Sequence, residues 1–225
     1  MKLALILPQF APNLYDLASM LQADRTILQD TEQWSRKSRV HRAQIRTPPP
    51  GGTQWINIPI NTEDRKKPIN QIRIDRSEDW ITPLLRSIEY NYRNSIYYDF
   101  YEPEIKADWE SAADFEYMQP FVLFIQKRLL RFIDLGVDYT LASELNSYTS
   151  DPDQLAQNLG ADILFQEHNS RHYQRQSKMK THPDFTHPTY HQHFEGFEPW
   201  CCILDVLFQF GPESFRIIDK LKVES

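Results

Sequence analysis

The feature that most constrains the fold is an unbroken aliphatic run near the start of the chain. Residues Leu3 to Leu7 are all apolar, and Pro8 ends the run. A strand with one solvated face alternates apolar and polar residues, so a continuous run is typical of a strand buried on both faces, as in a parallel sheet covered by helices. A second compact segment, Ala161 to Phe165, predicts another buried strand.

Helical patterns alternate with these strands. After Pro12, apolar residues recur at the spacing of one helix face, at Leu14, Leu17, Ala18 and Leu21. Later, Asp151 suits an N-cap, Pro152 suits the first helical position, and Gly160 ends the helix. The alternation predicts one α/β domain over residues 1–225, with a mostly parallel sheet flanked by helices and a helix-rich middle and C-terminal portion.

Shorter patterns predict the remaining elements. Thr82 followed by Pro83 favours a helix start, and a longer helix is predicted from Met118 to Leu135 with Gly136 as its left-handed cap. The nearly continuous apolar run Trp200 to Phe210 predicts a buried helix. The other predicted strands are Arg25 to Gln29, Gln54 to Ile60 paired with Ile69 to Asp75, and Val137 to Ala142.

The charge balance and the cysteines exclude some classes of function. The formal net charge is -6, whereas neutralising a phosphate backbone needs clustered Lys and Arg, so we do not expect a general nucleic-acid binder. The apolar start before Pro8 is too short for a signal peptide or a membrane span. Cys201 and Cys202 are the only cysteines and lie in an apolar run. They predict reduced core residues and therefore a cytoplasmic protein.

Polar residues that follow predicted strands are the first site candidates, because open α/β sheets bind ligands at the carboxyl ends of their strands. Asp30, Gln33, Lys37 and Arg42 follow the second predicted strand. Arg grips phosphate or carboxylate with two hydrogen bonds, Lys adds a mobile charge, and Asp or Gln can hold a sugar hydroxyl or amine. This group therefore suits an anionic ligand, although a solvated basic helix explains the same charges.

Arg171 and Tyr173 form a second candidate pair after the Ala161 to Phe165 strand. The alternative interpretation is a surface arginine beside a half-buried tyrosine. The sequence contains no Gly-rich phosphate loop, no GxGxxG, no GxSxG elbow and no cysteine in a catalytic setting. Residue types alone thus leave the reaction open.

Histidines are dense towards the end of the chain. His191 and His193 flank Gln192 and could face one side of a strand, where neutral imidazoles can coordinate zinc. The helical HExxH spacing and cysteine pairs that make such an assignment specific do not occur, and surface histidines that bind metal adventitiously remain the alternative. We therefore assign no metal ligand, and the sequence does not identify a cofactor. The other histidines of this region are His168, His172, His182 and His187.

The order of short motifs is more specific than any one of them. Five motifs follow one another along the chain. They are an opening strand with a Gln-Pro turn, a Gln-aromatic-basic segment, a Trp-initiated strand, a Leu-Gly-Ala-Asp segment, and a closing His-Pro-x-Tyr-x-Gln that precedes a buried helix and Gly-Pro. Together they resemble the WbqC-like family along nearly the whole chain. The matching positions are Ile6 to Pro12; Asp30, Gln33, Trp34, Arg36, Lys37 and Arg42; Trp55 to Pro59; Leu159 to Asp162, Arg171 and Tyr173; and His187, Pro188, Tyr190, Gln192, Phe194, Pro199, Ile203 to Phe208, Gly211 and Pro212.

The resemblance implies a transferase of O-antigen-type surface polysaccharide synthesis that acts on a nucleotide-linked or lipid-linked sugar, by aminoacyl or acyl transfer to an amino sugar. The catalytic positions it implies are His187, as a general base near neutral pH, and Asp30, which with Gln33 would hold the sugar or amine. Lys37, Arg42 and Arg171 would hold phosphates. The full set of implied ligand-binding residues is Gln9, Gln33, Lys37, Arg42, Arg171, Tyr173, Tyr190 and Gln192.

Several positions depart from the family pattern. The usual Gly-Tyr is Leu14-Tyr15, a glycine pair is Asn169-Ser170, and the asparagines beside Arg42 are His41 and Ala43. Added side chains narrow the approach of a phosphate or sugar, which favours a different ligand or a binding module without catalysis. A further alternative is a divergent nucleotidylyltransferase, although Asn13 and Asp16 stand where that class has paired histidines.

Overall fold

The computed structural model describes residues 1–167 and 186–222, and its centre is the strand predicted from the first aliphatic run. This strand, β1, covers Lys2–Ile6, and its last four side chains have no exposed surface. β2 (Arg25–Leu28) and β6 (Asp162–Gln166) pair with β1 in parallel on either side, and β5 (Thr140–Leu141) pairs in parallel with β2. The sheet order is β5-β2-β1-β6, which confirms the predicted parallel sheet.

Helices cover both faces of this sheet. Side chains of a strand alternate between faces, so Ala4 and Ile6 join the large core while Leu3 and Leu5 join a smaller cluster. α5 (Pro152–Leu159) contributes Leu155 to the smaller cluster, and α1 (Leu14–Gln22) packs its apolar stripe in the large one. The α/β class is therefore confirmed.

The middle and C-terminal parts are helical, as predicted. α2 (Ile81–Tyr92), α3 (Tyr98–Glu110), α4 (Met118–Phe132) and α6 (Ile203–Phe210) form a packed layer, which the short α7 (Phe215–Ile218) follows. The Trp109 side chain is 1% exposed and lies at its centre. Its ring meets Phe10 at 5.2 Å and Phe121 at 5.5 Å in edge-to-face geometry, an arrangement that aromatic quadrupoles favour.

The predicted pairing of Gln54 to Ile60 with Ile69 to Asp75 is wrong. β4 (Thr53–Asn57) instead pairs antiparallel with β3 (Arg42–Arg46), which lies inside the basic segment. Ile45 and Ala43 are buried, so one face of β3 packs in the core. The arginines at both ends of β3 made this strand difficult to recognise from the sequence. Between the predicted strands only the single bridge Ile60 to Ile74 occurs within the described ranges, and Ile69–Gln71 is a 3-10 turn.

Helix ends were predicted with mixed success. Asp151 caps α5 by accepting hydrogen bonds from the backbone N–H groups of residues 153 and 154 at 3.0 and 3.2 Å, and Gly160 has φ +61°, both as predicted. After α4, Asp134 rather than Gly136 takes the left-handed conformation, with φ +54°. The strand predicted from Val137 to Ala142 is reduced to the two residues of β5.

Candidate functional site

The carboxyl ends of the parallel strands bring three polar side chains to one edge of the sheet. Gln9 follows β1, Asp30 follows β2, and Glu167 follows β6. Their exposed fractions are 3%, 0% and 3%, so all three are held inside the protein surface. This edge is the place where ligands bind in open α/β sheets, and Gln9 and Asp30 are sequence-predicted site residues.

A buried charge cluster lies at this edge, formed by Asp16, Arg39 and Glu167. The Arg39 guanidinium donates to both carboxylate oxygens of Asp16, at 2.7 and 2.6 Å, and to Glu167 Oε1 at 3.1 Å. Bidentate pairing of this kind fixes the plane of the guanidinium as well as its charge. The cluster joins α1, the segment before β3 and the end of β6, so it ties together parts of the chain that are far apart in sequence.

Burial gives Glu167 unusual acid-base properties. Its other oxygen, Oε2, accepts hydrogen bonds from the Leu7 backbone N–H at 3.1 Å and from Gln9 Nε2 at 3.0 Å. Burial raises the pKa of the Glu167 carboxyl, and the Asp16 charge raises it further, against the lowering effect of Arg39. Such a carboxyl takes up a proton more readily than an exposed one, which suits acid-base chemistry and a switchable hydrogen bond to Gln9.

The sequence predicted neither the charge cluster nor the role of Glu167. Asp16 reads as a first-turn residue of α1, where it also accepts from the Asn13 backbone N–H at 3.0 Å in a capping box. In the sequence, Arg39 is indistinguishable from the other arginines of the basic segment, which suggest surface residues. The available signal was the charged residue placed directly after a buried parallel strand, which would have selected Glu167.

Asp30 is enclosed by hydrogen-bond donors. Its Oδ1 accepts from the Ser143 backbone N–H at 2.9 Å, and its Oδ2 accepts from Ser143 Oγ at 2.6 Å and Gln119 Nε2 at 3.2 Å. The Asn70 Nδ2 lies at 3.5 Å from the same oxygen. Neutral donors therefore hold the carboxylate in place at the end of β2, and a ligand would have to displace one of them to reach it.

A half-buried aromatic surface lies beside the charge cluster and is formed by Tyr15, His187, Phe197 and Trp200. The Tyr15 and Trp200 rings stack with centroids 4.5 Å apart and planes 23° apart, and the His187 ring lies 4.8 Å from Tyr15 and 5.5 Å from Phe197. Tyr15 and Asp16 both lie in the first turn of α1, directly after β1, so this surface lies at the same carboxyl edge of the sheet as the charge cluster. Flat, partly exposed aromatic faces suit the stacking of sugar or base rings.

His187, the predicted general base, is held between backbone carbonyls. Its Nδ1 lies 3.0 Å from the Pro188 oxygen. Burial lowers the pKa of the ring, while hydrogen bonds with the carbonyls of Pro188 and Pro199 act in the opposite direction. Burial thus favours the neutral imidazole, which is the form a general base needs.

The predicted phosphate-binding residues after β2 are not gathered into one cradle. Lys37 and Gln33 are exposed, and Gln33 Nε2 reaches the Lys66 carbonyl at 3.4 Å. The Arg42 guanidinium stacks over Trp55, 4.2 Å from the ring centroid, donates to the Ser38 carbonyl at 3.1 Å, and also bonds the Lys37 carbonyl. Arg42 is thus oriented by its neighbours, while Lys37 extends towards solvent.

Tyr190 and Gln192 belong to a different, interior group. Both are buried, at 7% and 1% exposure. Gln192 Nε2 donates to the Glu198 carbonyl at 3.0 Å, and Gln192 Oε1 accepts from the Glu198 backbone N–H at 2.7 Å. Tyr190 is hydrogen-bonded with the fully buried Asp205, and Tyr92 donates to Asp205 Oδ1 at 3.3 Å. These contacts fix the segment that carries His187. The predicted residues Arg171 and Tyr173 lie outside the described residues.

The structure describes only some of the histidines that are dense in this part of the sequence. His168, His172 and His182 lie outside the described residues, whereas His191 is exposed and His193 is half-buried. Desolvation, followed by the charge of His191, lowers the pKa of His193. Among residues 1–167 and 186–222, no three His, Cys, Asp or Glu side chains are grouped so that they could hold a metal ion.

Fold and site together define an α/β protein with a buried acid-base cluster and an aromatic surface at the carboxyl edge of a parallel sheet. The model of the WbqC-like protein family matches residues 8–217, and the chain belongs to this family. It is also 27% identical over 230 residues to an uncharacterized protein of Mycobacterium tuberculosis, with 95% of each chain covered. No solved structure matches the chain significantly. Among the described helices, none is long and apolar enough to cross a membrane.

Proposed function

We propose that the protein is a transferase of surface-polysaccharide synthesis that acts on a nucleotide-linked amino sugar. The observation that carries this proposal is the stacked pair Tyr15 and Trp200 at the carboxyl edge of the parallel sheet, next to buried acid-base groups. A planar base or sugar ring fits an aromatic face, and the edge of the sheet is the usual ligand position. Membership of the WbqC-like family supports the same assignment through the resemblance described above.

The favoured reaction is transfer of an acyl or aminoacyl group to the sugar amine. The amine nitrogen would form the new amide bond to the acyl carbonyl, the donor's leaving group would depart, and neutral His187 would accept the proton that the nitrogen loses. Arg42, Lys37 and Arg171 are the proposed phosphate contacts, with Gln33 and Tyr173 as further ligand contacts. The buried bonds of Asp30 support a positioning role for that carboxylate, which holds the end of β2, rather than direct contact with substrate.

The first experiment measures binding. Isothermal titration of the purified protein with a panel of nucleotides and nucleotide-linked amino sugars is expected to select one nucleotide sugar, and Trp200→Ala is expected to weaken that binding by about 10-fold. Phe215→Ala, which removes an aromatic ring that is 52% exposed on α7, is the matched control and should bind normally. Equal affinity in the two variants would show that the aromatic surface is not part of the ligand site.

Turnover is measured separately, as formation of acylated sugar detected by mass spectrometry with a panel of activated acyl donors. His187→Gln should lower kcat by a larger factor than it weakens the binding measured by titration, because the amide cannot accept the proton. Loss of folding stability without a change in kcat would instead assign His187 to its contacts with the Pro188 and Pro199 carbonyls.

A specific observation favours a second candidate, a nucleotide-sugar binding module without turnover. Asp30 and Arg39 form short hydrogen bonds with other groups of the protein, as expected of residues that stabilise the fold rather than react with a substrate. Ligand binding with no product from any acyl donor would favour this candidate. The capping box of Asn13 and Asp16 speaks against nucleotidylyl transfer, since both side chains already serve α1. Because Cys201 and Cys202 are buried free thiols, we also propose a cytoplasmic location.

A further inference from the structure

A second concave site lies beside the end of β2, and it shares no lining residue with the aromatic surface. It is a depression of about 500 Å³ that is open to solvent and is lined by Lys67, Asn70, Gln71, Arg73, Glu116 and Tyr117. This volume falls within the range of small-molecule sites in proteins. The lining is mostly polar, and the Tyr117 side chain, at 41% exposure, supplies an aromatic surface.

The backbone under this site is fixed by a short antiparallel pairing. Arg73 and Tyr117 form a bridge, the Ile74 N–H donates to the Glu116 carbonyl at 3.1 Å, and the Met118 N–H donates to the Ile72 carbonyl at 2.8 Å. Ile72 and Met118 are fully buried and anchor the two segments in the core. The side chains of Glu116 and Tyr117 are therefore presented from an ordered backbone, which limits the entropy lost on binding.

The positive charges of the site are already neutralised. Asp64 has no exposed surface and accepts hydrogen bonds from Arg73 Nε at 2.8 Å and from Arg73 Nη2 at 3.0 Å, and it pairs with Lys67 Nζ at 2.6 Å. Glu63 adds a further carboxylate 3.4 Å from Arg73. A phosphate would meet little net positive charge here, so the site does not suit an anionic ligand. Amide, carboxylate and ammonium groups beside an aromatic ring suit a neutral ligand with many hydroxyls.

We infer that this site binds a pyranose ring of a neutral sugar. The ring would lie against Tyr117, with its hydroxyls bonded by Gln71 and Glu116. Asn70 connects the site to the carboxyl edge of the sheet, because its backbone N–H donates to the Asp30 carbonyl at 2.9 Å. A part for this sugar in the proposed reaction would rest on the proposed function, whereas the binding itself does not.

The test is saturation-transfer NMR and titration calorimetry with methyl glucoside, methyl galactoside and N-acetylglucosamine. At least one of them is expected to bind, and Tyr117→Ala should weaken that binding by about 5-fold while Tyr117→Phe retains it, since the phenylalanine ring keeps the stacking face. Tyr90→Ala is the matched control, because Tyr90 is an exposed tyrosine on α2, outside this site. Circular dichroism verifies that each variant is folded.

The inference is overturned if no sugar of the panel binds, or if Tyr117→Ala binds as tightly as Tyr90→Ala. The same titrations in Trp200→Ala separate this inference from the proposed function. Neutral sugar binding that persists in Trp200→Ala, together with loss of nucleotide-sugar binding, supports two sites. Loss of both ligands in Trp200→Ala would place the neutral sugar on the aromatic surface and overturn the second site.

Discussion

Replacing Asp205 by Asn is expected to change how stability depends on pH. Asp205 lies in the first turn of α6 with no exposed surface. Burial raises the pKa of its carboxyl from 3.8 to about 6, although hydrogen bonds from Tyr190, Gln192 and Tyr92 favour the ionised form, as does the charge of Arg46. An amide keeps the size of the side chain and an oxygen for the Tyr92 hydroxyl, but it cannot ionise.

The magnitude follows from linkage between proton binding and folding. A carboxyl with a raised native pKa binds more protons in the folded state, so its contribution to stability is complete at acid pH and is lost as the pH rises through about 6. A rise of about two pKa units corresponds to about 3 kcal/mol. The free energy of unfolding of the wild type should therefore fall by about 2–3 kcal/mol relative to Asp205→Asn between about pH 4 and pH 7.

The assay is urea unfolding of both proteins at intervals from about pH 4 to pH 8, with the difference in unfolding free energy plotted against pH. Other carboxyls are common to both proteins, so their titration cancels. Asp114→Asn changes an exposed aspartate and is the control, which should alter the free energy of unfolding by less than about 0.5 kcal/mol. A flat difference for Asp205→Asn, or one of opposite slope, would refute a buried carboxyl with a raised pKa at this position.

Three further predictions concern the core and the charge cluster. Arg39→Met leaves its two carboxylate partners buried without a cation, and should lower the free energy of unfolding by about 3–5 kcal/mol in urea; a loss below about 1 kcal/mol would contradict a buried pairing. Trp109→Ala should cost about 3–5 kcal/mol in the same assay, because a fully buried indole leaves a cavity, and a smaller loss would mean that the site collapses. Gly211→Ala should destabilise more than Gly160→Ala, although both have positive φ, since the new Cβ would lie 2.6 Å from the Tyr97 ring at the first position and in open space at the second. Equal midpoints in thermal unfolding would show that the Tyr97 ring moves aside.

Local signals predicted those elements whose stability is itself local or depends on complete burial. The run Leu3 to Leu7 predicted β1, since a short run of five successive apolar residues ended by a proline is typical of a parallel strand covered on both faces. Asp151 and Gly160 predicted both ends of α5 because their capping bonds lie within a few residues. α3 was not predicted. Pro103 lies inside it, and a proline within a segment normally argues against a helix there.

Elements whose partners are distant were predicted less well. The partner of β4 could not be identified, because β3 has buried residues on one face but three long polar side chains among its five residues. The location of the site followed from topology, and Gln9 and Asp30 do lie at the carboxyl edge. The charge cluster required knowledge that Arg39 and Glu167 meet, and no sequence spacing predicts a contact between residues 128 positions apart.

The position of β1 in the sheet has a consequence for how the chain folds. β1 and β2 leave the ribosome early, whereas β6 emerges far later, since Leu7 and its partner Glu167 are separated by 160 positions. At about 5–20 residues per second of synthesis, this interval lasts on the order of 10 to 30 seconds. During that time one edge of β1 lacks its partner strand and can pair with other chains. Closing this contact is also slow, because the entropy of a long loop is lost before the pairing forms. Nascent chains are therefore expected to depend on chaperones until the last strand has joined.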